Sequence, residues 1–567
     1  MRRAWLVAAV ATAALVLPAP AWAHAALLRT VPVASRTVNA APPEVRLSYS
    51  EPVAPKFAIV SVTDAAGRQV TSGAPTAAPG APQTLVTPLR EIPEGWYLVF
   101  WRVISADGHP VRGAFTFAVG PNPGPPPQFQ VPSLSETATT TQLLIGRWAM
   151  FLSLLGAIGL FVLRTLIARP VVRIVPACSL RSLNVAFLVA AALALVAIPV
   201  YVLLATAQFT LRHVWDLSAI VPVARDSDFG RDFLDLELVF ALFAVAAGIA
   251  LWLDRPEREQ RSVVELLALP SALAAAVGAL FLPALAGHAG QKAPRGLSLP
   301  LDVAHLGAVS IWLGGLIGLV VFWLSVGVRG RSAALACVVP RFSVVAFSAV
   351  VLIIGTGIGQ SLEELPTLAS LWSTSYGQAL LWKIGLLSAA LLLAAVNLAR
   401  TKPRLQANDA SAPLLLRRLV QGEILFVVAA LFAAAVLSSL APPSSALAKV
   451  QDVAARVGPG EVTTVVTKQP YKVRVRVTPN RAAVPNTFEL ALTRNGKPVS
   501  GAQVVTKFDM LDMEMGEQSY KFRELRPGVF SKSAPALVMV GHWGLVFEVT
   551  PPGEKPFVVT LVDKAGG

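Results

Sequence analysis

The chain has 567 residues, of which 54% are hydrophobic and only 14% are charged, a composition that argues against a soluble multidomain enzyme. Its 48 Lys and Arg residues exceed its 33 Asp and Glu residues, which gives a formal net charge of +15. This excess follows the membrane topology described below, so we predict no nucleic-acid partner.

Residues 1–23 have the order of a secretory signal peptide, with Arg2 and Arg3 before an apolar run and small residues up to Ala23. The apolar run is too short to span a bilayer of about 30 Å comfortably. Cleavage after Ala23 makes His24 the mature N-terminus, where the α-amine and the imidazole form a chelating pair suited to Cu(II). The alternative is that His24 is only the first residue after a cleavage site.

Two segments predict β-domains. Residues 24–120 contain short apolar stretches separated by Pro and Gly, which is typical of a small β-sandwich. Residues 460–567 alternate in the same way and predict a second β-sandwich. Linkers at 121–135 and 442–459 separate these domains from a membrane segment at 136–441.

The membrane segment contains eight apolar stretches long enough to span a bilayer as helices. They lie near 142–166, 183–207, 233–253, 263–286, 301–327, 341–362, 376–399 and 418–440. If the first domain is exported, the predicted cytoplasmic loops carry fifteen Lys and Arg residues and the external loops five, as the positive-inside rule requires. We therefore predict a multi-pass protein of the cytoplasmic membrane, surrounded by lipid, with both β-domains outside.

A candidate metal site in the first domain follows from Asp107 and His109. Gly108 permits a tight turn, and a carboxylate and an imidazole two residues apart on one side of the chain can share a metal ion. This spacing alone is equally typical of a surface turn, but a mature N-terminal His24 strengthens it. Residues 24–120 contain no Met, so the thioether ligands that Cu(I) favours are absent and we predict Cu(II).

The first domain resembles a known family in three places: the stretch from His24 to Leu27, Ser50-Glu51-Pro52-Val53, and the stretch from Ser105 to Pro110. These resemble the CopC family of periplasmic copper-binding β-sandwich proteins. The resemblance implies a Greek-key sandwich that holds Cu(II) through His24, Asp107 and His109. It also implies Glu51 nearby, as an axial ligand or an outer group.

Ionisable residues inside membrane spans are costly and mark candidate functional positions: Arg147, His288, Asp302, His305, Lys383 and Glu423. We predict that His288 and His305 contact a metal on a membrane pathway, and we interpret Gln360, beside several glycines, as a helix-packing residue. Gly287-His288-Ala289, His305-Leu306-Gly307 and Tyr376-Gly377-Gln378 resemble the CopD membrane family. A CopC domain fused to a CopD domain resembles YcnJ-like proteins, which implies copper uptake.

Four of the six methionines fall between 510 and 539, close to His542. Met510, Met513, Met515 and His542 form a candidate Cu(I) site. The alternative is a core lined by methionine, which fills irregular gaps. The stretch from Pro498 to Gly544 resembles the YtkA-like family, which implies an immunoglobulin-like sandwich.

We therefore predict a copper-binding transport protein rather than an enzyme, with an external Cu(II) receptor and a periplasmic or extracellular copper chaperone as a partner. The chain has no G-x-x-x-x-G-K-[ST] motif for ATP. The alternatives are copper resistance by external sequestration, or delivery of copper to a cuproenzyme, in both cases without transport. An oxygenase with an N-terminal histidine site and a membrane haem on His288 and His305 are further alternatives.

Overall fold

The computed structural model describes residues 27–566, apart from 35–36, 105–109, 125–139, 176–177, 211, 258–259, 287–294, 408, 410, 441–442, 444–449, 451, 483, 512–517, 535 and 539–540. Several predicted features lie outside the described residues. These are the signal peptide at 1–23 and the site residues His24, Asp107, His109, His288, Met513 and Met515.

The N-terminal domain is a sandwich of two four-stranded sheets, in the orders β1-β3-β6-β5 and β2-β8-β7-β4. Inward side chains alternate along the strands, as Val45, Leu47 and Tyr49 do on β3, and surround the buried Trp101. The strands are β1 (Leu27–Val31), β2 (Thr37–Val38), β3 (Glu44–Tyr49), β4 (Ile59–Asp64), β5 (Thr76–Ala78), β6 (Ala81–Pro88), β7 (Gly95–Ile104) and β8 (Pro110–Val119).

Among the described residues, eight helices are long and apolar enough to cross a membrane, which confirms the predicted number. They are α1 (Thr141–Val172), α2 (Arg181–Thr210), α3 (Phe229–Leu253), α4 (Val263–Ala286), α5 (Leu297–Ser325), α6 (Gly330–Glu364), α7 (Ser375–Gln406) and α8 (Ala412–Leu437). Short helices at Leu217–Asp226 and Ser370–Ser373 lie between them. Turns of π-helix interrupt α1 at Leu163–Ala168 and α7 at Asn397–Thr401.

Helices α1 and α5 make the closest backbone contact in the bundle. A Cβ atom on Gly159 would lie 1.8 Å from the carbonyl oxygen of Ser310, and a Cβ atom on Gly314 would lie 2.5 Å from Gly159 Cα. Only residues without a Cβ atom allow this approach, which is the use of small residues in membrane helix packing. The crossing fixes the height of the two helices relative to each other.

The C-terminal domain is a second sandwich, with sheet orders β10-β11-β12-β17-β16, where β13 pairs with β12, and β15-β14-β18-β19-β9. Its core includes Phe488, Phe508, Trp543 and Phe547. The strands are β9 (Val453–Val457), β10 (Val462–Lys468), β11 (Tyr471–Thr478), β12 (Asn486–Arg494), β13 (Lys497–Pro498), β14 (Gln503–Met510), β15 (Gln518–Lys521), β16 (Arg523–Arg526), β17 (Val529–Ala534), β18 (Gly541–Thr550) and β19 (Phe557–Ala565).

The N-terminal domain contacts both of the other parts of the molecule. The buried Arg102 guanidinium donates hydrogen bonds to the carbonyl oxygens of Phe209 (2.7 Å) and Gln208 (3.1 Å), at the C-terminal end of α2. Phe57 and Ile104 belong to the apolar cluster of the bundle. On another side, the Ala114 amide donates to the Val538 carbonyl of the C-terminal domain at 3.3 Å.

Candidate metal centre

A cavity of about 330 Å³ lies within the helix bundle. Its lining begins near the end of the bundle where α1 starts at Thr141 and α8 ends at Leu437, which we call the domain end. It reaches Leu155 on α1 and Trp312 on α5, about halfway along both helices. Its polar lining consists of Arg147, Tyr201, Ser298, Asp302, His305, Gln360, Glu363, Glu364, Tyr376, Lys383 and Ser438.

His305 is the histidine of this cavity, and its side chain is 8% exposed. Its Nδ1 atom lies 2.8 Å from Thr356 Oγ1, and the Thr356 hydroxyl lies 2.6 Å from the Leu352 carbonyl oxygen, to which it donates. A hydroxyl has one proton, so Thr356 must accept a hydrogen bond from His305 Nδ1–H. The remaining nitrogen, Nε2, then carries a lone pair and can bind a metal ion.

Carboxylates cluster on the domain end side of His305. Asp302 precedes His305 by three residues, which places both on one face of α5. Gln360 Nε2 donates to Asp302 Oδ1 at 3.0 Å, and Ser298 donates to Glu363 at 3.1 Å. Our interpretation of Gln360 as a packing residue is therefore incomplete, because it lines the cavity and orients a carboxylate.

Two cations share the cavity with these acids. Lys383 interacts electrostatically with Asp302. Arg147 donates to Tyr201 at 3.2 Å and to the Ser438 carbonyl and the Ser439 hydroxyl at 3.0 Å each. Arg147 therefore joins α1, α2 and the end of α8, and its cation is turned into the protein. The three carboxylates outnumber the two cations, which suits a positively charged ligand.

The opposite half of the bundle is closed by buried ion pairs. Asp254 pairs with Arg164 and, at 2.7 Å, with Arg169. Arg261 lies 3.4 Å from Glu265, and Asn397 donates to the buried carboxylate of Glu423. Paired charges of this kind hold helix ends together and leave no continuous polar path through the described cavity.

The two cysteines, Cys178 and Cys337, are both free and both pack in the apolar cluster of the bundle. Burial, together with the neighbouring Cys337 thiol, raises the pKa of Cys178. The two thiols are therefore close in space, although 159 residues separate them in the sequence. A raised pKa keeps the Cys178 thiol protonated at neutral pH and makes it a weak metal ligand.

Described residues on both sides of the predicted Cu(II) site meet at one edge of the N-terminal sandwich. Tyr49, two residues before Glu51, pairs with Leu27, the first described residue after His24. The chain leaves β7 at Ile104 and enters β8 at Pro110, and these two residues pair with each other. Ile104 also packs against the bundle, so this edge faces the membrane helices.

The structure does not bring Met510 and His542 together. Met510 is 2% exposed, pairs with Trp543 and packs in the core of the C-terminal sandwich. His542 precedes Trp543 on the same strand, so its side chain points to the opposite face of the sheet. Met510 thus has the role of a core residue, and the candidate Cu(I) site would have to rely on the other three residues.

Sequence reasoning missed two residues of the cavity, Met150 and Thr356. Met150 is fully buried and lines the same cavity as His305. The available signal was its isolation, because it is the one methionine between Met1 and Met510. Thr356 gave no signal, since a threonine 51 residues from its histidine partner is ordinary in a membrane helix. Among the described residues, no three His, Cys, Asp or Glu side chains are grouped to hold a metal ion.

Three family models match separate parts of the chain. Residues 27–120 match the CopC domain, residues 336–437 match copper resistance protein D (CopD), and residues 466–546 match the YtkA-like family. The chain therefore combines CopC, CopD and YtkA-like domains, as the sequence resemblances predicted. The predicted fold class is also confirmed: a CopC-like β-domain, eight apolar helices and a C-terminal β-domain.

Similar proteins include the copper transport protein CutJ of Bacillus subtilis (strain 168), which is 25% identical over 93% of each chain. Copper resistance protein C of Escherichia coli is 42% identical over 18% of this chain and 83% of its own. Among solved structures, CopC from Methylosinus trichosporium OB3b is 31% identical and covers 18% of this chain and 99% of its own, with a TM-score of 0.17. The chain is thus similar to copper transport and copper resistance proteins.

Proposed function

For a multi-pass membrane chain that carries these three domains, we propose copper uptake across the cytoplasmic membrane, with both β-domains outside. The observation that carries the proposal is the cavity at the domain end. It places His305, with a free Nε2 atom, beneath a group of carboxylates. Carboxylates attract a cation to the entrance, and an imidazole is a good copper ligand at the bottom.

The N-terminal domain is the external Cu(II) receptor in this proposal, with His24, Asp107 and His109 as ligands and Glu51 nearby. The described residues that flank the site support it, because they meet at the sandwich edge that faces the bundle. Arg102 docks this edge on the end of α2. Copper released from the receptor, whether loaded directly or by a copper chaperone, would leave close to the cavity.

His288 is the second metal ligand of the proposed membrane pathway. It follows α4 by two residues, and the last residue of α4, Ala286, lines the cavity together with Pro283. This connection supports a position for His288 above His305, on the way into the bundle. The C-terminal domain, with Met513, Met515 and His542, is proposed as a further copper-binding part that contacts the receptor domain.

A second candidate function is copper resistance or copper delivery without transport. The observation in its favour is the closed half of the bundle, where Asp254 and its arginine partners lie beyond the end of the cavity. In this alternative the copper enters the cavity and leaves by the same end. Uptake requires the closed half to open, whereas sequestration and delivery do not.

Copper flux into proteoliposomes separates these functions. Purified protein is reconstituted with a copper-sensitive dye inside the vesicles, and copper is added outside. We expect wild type and His213→Ala to carry copper inward, because His213 is an exposed histidine away from the cavity. His305→Ala should abolish the flux. Copper that binds to the wild-type protein in stoichiometric amount, without a signal from the dye, would favour sequestration or delivery.

A further inference from the structure

Met150 is unusual within the membrane domain. It is the only methionine between Met1 and Met510, its side chain is fully buried, and it lines the same cavity as His305. Methionine in a core usually fills an irregular gap. Here it faces a cavity whose polar groups include a histidine with a free ring nitrogen, so its sulfur is available to a ligand.

Met150 and His305 lie at the same height in the bundle. Met150 precedes Gly159 on α1 by nine residues, and His305 precedes Gly314 on α5 by nine residues. The two glycines are in backbone contact, so each side chain lies about 13.5 Å from the crossing, toward the domain end. Packed helices have axes about 8–10 Å apart, and both side chains are long enough to meet across that gap.

The pairing of a thioether with an imidazole is selective for one form of copper. Thioether sulfur is a soft ligand that prefers Cu(I), and imidazole binds copper in either oxidation state. The hydrogen bond to Thr356 holds the His305 ring and leaves Nε2 unprotonated. The carboxylate of Asp302, one helical turn away, is bonded to Gln360 and contributes negative charge above the pair.

We propose that Met150 Sδ and His305 Nε2 together form a Cu(I) site near the bottom of the membrane cavity. The site deepens the proposed function and rests on it, since it names the oxidation state and a second ligand of the same pathway. It binds copper that arrives as Cu(I), and no electron transfer takes place there. The external Cu(II) domain and this site are then specific for different forms of copper.

The test measures Cu(I) binding to the full-length purified protein in detergent under anaerobic conditions. Competition with a chromophoric Cu(I) chelator gives the affinity, and X-ray absorption at the copper edge reports a sulfur neighbour. Met513, Met515 and Met539 are replaced by Leu in every sample, so that thioethers of the C-terminal segment do not contribute. The N-terminal domain contributes none, because residues 24–120 contain no Met.

We expect Met150→Leu to remove the sulfur signal and to weaken Cu(I) binding at least about tenfold, with a similar loss for His305→Ala. Met510→Leu is the matched control and should change neither, because Met510 lies in the core of the C-terminal domain. Met150→Cys should keep the sulfur signal at a shorter copper–sulfur distance. This variant shows that the loss in Met150→Leu is a loss of the ligand and not of the fold.

An unchanged affinity and an unchanged sulfur signal in Met150→Leu would overturn the proposal. Flux into proteoliposomes, measured on the same variants, separates this failure from failure of the proposed function. If His305→Ala stops the flux while Met150→Leu binds Cu(I) normally, uptake stands and the Met150 site falls. If Met150→Leu loses Cu(I) but wild type shows no flux, the site stands and uptake falls.

Discussion

The ring of His305 illustrates how a single neutral side chain can determine the chemistry of a metal ligand. Thr356 donates its one proton to the Leu352 carbonyl, so it can only accept from His305 Nδ1. This arrangement leaves Nε2 as the free ring nitrogen that lines the cavity. The copper chemistry of α5 therefore depends on a residue of α6 that binds no copper itself.

Replacement of Thr356 tests this dependence. Thr356→Val keeps the shape of the side chain but removes the hydrogen-bond acceptor of His305, and outer partners of metal ligands are typically worth 10–100-fold in affinity or activity. We expect copper flux to fall by about tenfold or more, and Thr356→Ser to retain most of it. Equal flux in Thr356→Val and wild type would show that the ring needs no partner.

Asp563 is a second residue whose surroundings determine its protonation. Its side chain is fully buried, and Asn480 donates to Oδ1 at 2.9 Å, while Oδ2 has no hydrogen-bond partner among the described residues. Burial raises the pKa of Asp563 to about 6, although Asn480, the Lys564 amide and His542 favour the ionised form. The folded C-terminal domain therefore holds a proton that the unfolded chain releases near pH 4.

The sign of the pH dependence follows from this difference. The stability that Asp563 contributes is fully present below about pH 4 and is lost as the pH rises to about 6, by on the order of 3 kcal/mol. Calorimetry of the full-length protein should show this loss in the unfolding of the C-terminal domain. Asp563→Asn should abolish it, whereas exposed Asp452→Asn should not. A wild-type profile that is flat between pH 4 and 6 would contradict the assignment.

At the scale of elements, the crossing of α1 and α5 positions the two sides of the cavity. Gly159→Ala places a methyl group 1.8 Å from the Ser310 carbonyl oxygen, so the helices must separate. We expect a lower unfolding temperature in detergent and a loss of copper flux. Gly248→Ala on α3 is the matched control, because nothing lies within 4 Å of the added methyl. Similar behaviour of both variants would argue against a tight crossing.

The elements themselves were readable from sequence, and the contacts between them were not. Eight apolar runs predict eight helices because a bilayer requires that length, and alternation predicts the strands. His305 was identifiable because an ionisable group inside a span is rare. Met150 and Cys178 were not linked to their neighbours, since 155 residues separate Met150 from His305 and helix packing alone brings them together. The pairing of Met510 with Trp543 likewise depends on strand register.

At the scale of the whole molecule, Arg102 joins the N-terminal domain to the bundle. Burial, with Arg112 nearby, lowers the pKa of Arg102 to about 10, so the guanidinium stays charged at neutral pH. It donates to carbonyl oxygens at the C-terminal end of α2, where the helix leaves carbonyls without partners and favours a cation. The edge of the domain that carries the proposed receptor site is thereby held against the membrane helices.

Loss of this contact should uncouple the receptor from the pathway. We expect Arg102→Ala to reduce copper flux severalfold at low copper and to increase amide exchange at the end of α2, because a charge-assisted hydrogen bond contributes about 1.5–3 kcal/mol. Cu(II) binding by the domain should not change. Arg90→Ala, at an exposed arginine of the same domain, is the control. A normal flux in Arg102→Ala would show that docking is not needed for delivery.

The most direct test of copper uptake through the membrane cavity is the cellular copper content. A host that lacks its own copper importers is grown at limiting copper with wild type, His305→Ala or His213→Ala. Uptake through the cavity predicts that wild type and His213→Ala raise cytoplasmic copper and that His305→Ala does not. A wild-type protein that lowers cytoplasmic copper, or leaves it unchanged, would contradict uptake and favour resistance or delivery.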